Sequence, residues 1–200
     1  MLSPGVPVLR WMFDLRCRRV HLAVAVSIAA LASAAWLPDR LPTVVRDAQA
    51  DPWTIAWCLP ALATISVLSP RTDHMETSLP TLLANRRLVA VMTHVVLALA
   101  LVLVAGWATD RGSGPPAVAF AWCLALVLVS AVVAGQLAAM VVSSSAVLIN
   151  WVFGVDEITG DVHGWALLMR SPELPLSAAA ALALTVSVGV WCWRGTRADR

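Results

Sequence analysis

The sequence predicts an all-α integral membrane protein with six transmembrane helices, and three regularities carry that expectation. Six long apolar stretches follow one another between Arg10 and Arg200, the charges are confined almost wholly to the gaps between them, and the arginines gather in alternate gaps. A chain that threads a bilayer repeatedly, with its arginine-rich segments in the cytoplasm, produces all three. Composition agrees: hydrophobic residues make up 60% of the chain, and mean hydropathy is +0.79. Soluble domains use roughly 45–50% apolar residues. Too few polar residues remain to cover a core with wetted surface, so apolar side chains must face lipid.

Residues 1–19 carry Trp11, Met12, Phe13 and Leu15 among Arg10, Arg16, Arg18 and Arg19. This pattern predicts a short amphipathic N-terminal helix on the inner membrane surface. The first span is expected over residues 20–37. At 18 residues it exceeds the roughly 7–15-residue apolar run of a signal peptide, so it reads as a retained span. An acidic external loop, 38–52, leads to the second span at 53–68. A cytoplasmic segment, 69–87, precedes the third span at 88–107, and a Gly- and Pro-containing turn at 109–116 follows it.

Residues 117–153 contain no charge. One helix of that length would extend about 55 Å, against a hydrocarbon core near 30 Å. Two spans, 117–135 and 137–153, are expected instead, joined at Gly135–Gln136 or else near Ser143, Ser144 and Ser145. A polar segment, 154–173, leads to the last span at 174–193. Six spans place both termini in the cytoplasm, with 10 Arg and 4 acids inside against 4 Arg and 8 acids outside. Tryptophan gives a separate indication. Trp36, Trp53, Trp107 and Trp151 fall at outer span ends, and Trp11, Trp191 and Trp193 at the inner edge, as an aromatic belt requires. Trp57 and Trp122 lie about one turn deeper, where helix packing is the expected role.

Several chemistries find no support in this pattern. The chain has no lysine, so it cannot carry a phosphate-binding loop ending in Gly-Lys-Ser/Thr. Its cysteines, Cys17, Cys58, Cys123 and Cys192, have no ligand spacing. They read as free thiols rather than a disulfide or zinc framework. No basic stripe with interleaved aromatics suggests nucleic-acid binding. The absence of lysine beside abundant Ala, Val, Leu and Arg is the composition of a GC-rich bacterial coding sequence.

The polar residues expected within the spans are few: His94, Gln136, Ser143, Ser144, Ser145 and Asn150. Intramembrane polar groups are costly and so are candidates for function. His94 has no carboxylate or second histidine at ligand spacing, so an interhelical hydrogen bond is its expected role. The serines lack an evident base and suit backbone bonding or close helix approach. Gln136 and Asn150 either line a path or tie spans together, and both roles stay open. Outside the spans, Asp156, Glu157, Asp161 and His163 form a solvated loop without the ligand spacing of a calcium-binding hand.

The most specific stretch is SPRTDHMETSLPTLLANRRL, residues 69–88. Residues 75–83 can form a short amphipathic helix, broken near Pro80. Glu76 early and Arg86 and Arg87 late complement its dipole. Glu76, Thr77, Leu79, Leu82, Leu83, Arg86 and Leu88 stand in the order of the coupling region of ABC-2-type transporter permeases. With its inner N-terminal helix, six spans and polar segment before the last span, the chain resembles that family in layout. Ala84 and Asn85 replace the family's usual Pro-Val-Ser before the arginine.

The resemblance implies an export permease of the bacterial cytoplasmic membrane, assembled as a homodimer or heterodimer of permease chains. It has no cofactor of its own. ATP and magnesium belong to a separate ATP-binding-cassette ATPase subunit, which docks on Asp73, Glu76, Leu79, Leu82, Arg86 and Arg87 and on Arg16, Arg18 and Arg19. Two other classes fit the same residues: a non-catalytic membrane interaction or assembly protein, and a membrane-embedded enzyme built on His94 or the three serines. Reporter fusions at the two ends of the chain should both report the cytoplasm; opposite compartments would overturn the even number of crossings.

Overall fold

A computed structural model describes residues 20–36, 52–68, 80–109, 114–155, 161–169 and 172–194. The named elements are six helices: α1 (Val20–Trp36), α2 (Pro52–Leu68), α3 (Pro80–Ala108), α4 (Gly114–Ala134), α5 (Gln136–Phe153) and α6 (Leu174–Arg194). Among the described residues the only β-pairing is an isolated antiparallel bridge between Val155 and Val162. Among the described residues four segments are long and apolar enough to cross a membrane: Leu88–Ala108, Gly114–Ala134, Gln136–Phe153 and Leu174–Cys192. The other two, Val20–Trp36 and Trp53–Leu68, are shorter apolar helices. The protein is an all-helical, multi-pass membrane protein.

Proline punctuates the bundle. Pro52 and Pro80 open α2 and α3, Pro115 and Pro116 sit in the first turn of α4, and Pro175 in that of α6. These positions lack an intrahelical acceptor in any case, so proline's missing N–H costs nothing there and its fixed φ suits the helix. The same rule corrects one sequence expectation: Pro115 and Pro116 belong to α4 and not to the preceding turn. Of the expected short helix over 75–83, residues 75–79 lie outside the described residues, and from Pro80 onward it is continuous with α3, which runs without interruption for 29 residues.

Helices α2 and α4 form the centre. α4 packs against α2, α3, α5 and α6, while α2 also meets α1, α3 and α5. Phe120, Leu124, Val127, Leu128 and Ala131 line the buried side of α4, and Ala61, Val67 and Leu68 that of α2. The outer helices expose large apolar residues, among them Val104, Leu137, Met140 and Leu182. Such a surface suits hydrocarbon and not water.

The uncharged stretch divides at Gly135, with φ 88° and ψ −179°, while Ser143, Ser144 and Ser145 are helical. That backbone conformation is open essentially to glycine alone. Hydrogen bonding runs up to the break from both sides. Gly135 N–H donates to Ala131 O (3.1 Å), and Ala139 N–H to Gly135 O (3.0 Å). One residue thus sets the angle between α4 and α5.

The tryptophans divide in a way that spacing along the chain does not show. Trp36 and Trp107 are exposed, the latter by 79%, as belt residues would be. Trp53 and Trp191 are buried, at 4% and 2%. The Trp53 ring lies 6.3 Å from that of Trp57, tilted by 36°. Helix ends that meet other helices bury the same residue that a peripheral end presents to the interface. Trp11 lies outside the described residues.

Gly135→Ala is expected to lower unfolding stability in detergent by about 1–3 kcal/mol, because alanine is strained in this conformation. Nothing lies within 4 Å of an added Cβ, so a smaller backbone cost, not a clash, is what calorimetric or denaturant unfolding would have to show to refute this.

Candidate functional site

Two buried polar side chains, His94 and Thr64, meet at one irregularity, Pro60 inside α2. Proline has no N–H, so the carbonyl of Ala56 loses its usual partner and the helix is locally loosened. His94 comes from α3 to the same point. Its side chain is 0% exposed, and its Nε2 lies 3.2 Å from Pro60 O. A carbonyl only accepts, so Nε2–H donates and the neutral ring leaves Nδ1 as an acceptor. Nδ1 is buried and has no partner. The Thr64 hydroxyl also donates to Pro60 O, at 3.5 Å. The expected interhelical role of His94 has this physical form: it ties α3 to the proline-loosened turn of α2.

Half a turn away, the Cys123 thiol of α4 donates to Cys58 O of α2 at 3.7 Å. Cys58, Cys123 and Cys192 are free. No group of three or more His, Cys, Asp or Glu suited to a metal ion occurs among the described residues.

Consecutive serines on a helix point about 100° apart, and the three serines of α5 separate accordingly. Ser143 is buried, Ser144 half-buried and Ser145 exposed, so they do not converge as a catalytic cluster. Ser143 also departs from the habit of its counterparts. Ser27, Ser33, Ser177 and Ser187 donate to the carbonyl four residues back, at 2.6–3.0 Å. Ser143 Oγ is buried with no partner.

Asn150 is a tie. Its Nδ2 donates to Ala146 O (2.9 Å), and its Oδ1 accepts from Leu168 N–H (3.5 Å). The segment after α5 folds back along that contact. His163 N–H donates to Gly154 O at 2.9 Å, and Ala166 is buried. A Cβ on Gly154 would lie 2.6 Å from Met169 Sδ and 3.1 Å from Ala166 Cβ. Gly154 is there for space, since its φ of −75° is ordinary. The imidazole of His163 stacks on Trp165 with centroids 5.8 Å apart. Gln136 is half-buried at the start of α5.

The remaining candidates form no described site. Leu82, Arg86 and Arg87 lie in the first turns of α3. Asp73, Glu76, Leu79, Arg16, Arg18 and Arg19 lie outside the described residues, as do Asp156 and Glu157. Pro60 and the Cys58–Cys123 contact were not singled out in the sequence. A proline deep in an apolar run was a legible signal of a freed carbonyl; the pairing of helices was not.

His94→Ala should destabilise the bundle by roughly 1 kcal/mol, the usual scale of an interhelical polar contact in membranes. His94→Asn, which keeps a donor, should recover part of it. Equal losses in the two variants, measured by reversible unfolding in mixed micelles, would mean that packing and not the bond to Pro60 is at stake. Against this geometry, comparison with known proteins returns nothing: no protein family, no curated protein and no solved structure matches the chain.

Proposed function

We propose that this chain is the membrane-spanning permease subunit of an ATP-binding-cassette exporter of the ABC-2 type in a bacterial cytoplasmic membrane. In this reading all six helices cross the bilayer and both termini are cytoplasmic. The two 17-residue helices stand at the short end of the roughly 17–25 residues that spanning needs. α2 packs against α1, α3, α4 and α5.

The observation that carries the proposal is the continuity of α3. A helix of 29 residues is about 43 Å long, longer than the hydrocarbon core. Its first turns carry Arg86 and Arg87, and its apolar part begins at Leu88. The same rod holds His94 against Pro60. A partner that pushes on the arginine-bearing end moves the His94 contact in the core, because no flexible joint intervenes. A separate ATPase subunit docked on Asp73, Glu76, Leu79, Leu82, Arg86 and Arg87, with the N-terminal Arg16, Arg18 and Arg19, would exert that push as it closes on ATP. The permease contributes different contacts in its two states and no chemistry of its own. Two permease chains, alike or different, complete the assembly.

The partner ATPase should copurify with the chain in mild detergent, and its recovery should fall about tenfold when Glu76→Arg and Arg86→Glu are combined, since repulsion of even 1.4 kcal/mol has that effect. Two glycines inserted after Leu88 should spare copurification but uncouple ATP hydrolysis from transport. Full recovery of the partner with the double reversal would end the docking argument.

A further inference from the structure

We propose that residues 161–169 form a re-entrant turn that dips back into the apolar layer beside the end of α5 and docks Trp165 at the boundary between the acyl chains and headgroups of a phospholipid bilayer. The inference does not rest on the permease reading; it requires only that α5 lies in a membrane.

The depth follows from what the turn touches. Leu168 N–H meets Asn150 Oδ1 at 3.5 Å, and Asn150 stands three residues before the end of α5 at Phe153, about 4.5 Å inside it. The Leu168 side chain packs against the hydrophobic core of the bundle. Ala166 is 0% exposed, and Ala166 and Met169 close around Gly154, the C-cap of α5. The backbone suits that place. Ala166, Leu167 and Met169 N–H donate to His163 O, Trp165 O and Ala166 O at 2.9–3.0 Å. With Leu168, four successive amides thus have acceptors within the protein. Non-helical backbone at membrane depth is tolerated only where it is satisfied in this way, whereas a loop in water can leave its amides to solvent.

The outward side of the turn is apolar. Val162 and Trp165 are exposed, by 39% and 51%, and the bridge to Val155 holds Val162 beside the end of α5. Both continue the exposed apolar end of that helix, Val152 and Phe153, which hydrocarbon covers in a spanning segment. Trp165 keeps one face on the His163 imidazole, 5.8 Å away and inclined by 14°. An indole, with its apolar body and single N–H, suits the headgroup boundary, and tight turns hold it within three residues of Leu168. Asp161 and Glu173, both exposed, flank the turn in the chain. Their charges belong in water, so the dip is shallow.

The test uses the full chain in phosphatidylcholine vesicles. The emission lost on Trp165→Phe, a change that keeps an aromatic ring, isolates Trp165 from the other tryptophans. Phosphatidylcholine brominated in the upper acyl chain should quench that difference emission about twofold, and aqueous iodide should leave it nearly unchanged, as for a tryptophan of the membrane belt. Asn150→Ala removes the acceptor of Leu168 N–H. It should shift the ratio of docked to undocked turn about threefold toward water, the scale of one lost intramembrane hydrogen bond, read as weaker bromine quenching and stronger iodide quenching. Difference emission quenched by iodide and not by bromine would make 161–169 a solvated loop, and quenching indifferent to Asn150→Ala would remove the tie that sets the depth; either result overturns the inference. Neither readout involves an ATPase, so failure here and failure of copurification are separate results.

Discussion

A backbone in hydrocarbon has to satisfy its own hydrogen bonds, and this constraint shapes every irregular feature of the bundle. Helices answer it almost completely. The prolines that open α2, α3, α4 and α6 stand where no intrahelical acceptor is lost. Pro60 is different, because it removes a donor in mid-helix. Polar contacts fall on the same stretch: His94 and Thr64 donate to Pro60 O, and Cys123 donates to Cys58 O. A loosened turn in the central helix thus becomes the place where α3 and α4 are tied to α2.

The bundle's two ends of α5 solve the same problem in contrasting ways. At Gly135 the chain passes from α4 to α5 with no loop, because bonds to Ala131 and from Ala139 leave only one residue out of the helical pattern. Beyond Phe153 the chain needs more support. Asn150, the Val155–Val162 bridge and the bond from His163 N–H to Gly154 O hold the returning segment against α5. One end is a single-residue break and the other is held by several contacts.

Much of this was legible in the residues. The six apolar helices follow from hydropathy and length, and the division near Gly135 from the length of the uncharged run. Of the short helix expected over 75–83, the part from Pro80 onward is continuous with α3, a continuity that charge and hydropathy along the chain do not show. The serines of α5, expected to serve backbone bonding or close helix approach, diverge because neighbours on a helix point about 100° apart, and of the three only Ser143 is buried.

Composition and spacing by themselves determined that the chain is helical, apolar on nearly every face and obliged to live in a bilayer, because those properties depend on local averages. They also marked His94 and Asn150 as polar residues with work to do. Tertiary structure alone decided that α2 and α4 are central, that Trp53 and Trp191 are buried while Trp36 and Trp107 are not, and that His94 meets Pro60. The reason is that an all-apolar helix carries no stripe to say which side faces protein. Only the neighbours it packs against distinguish lipid from core.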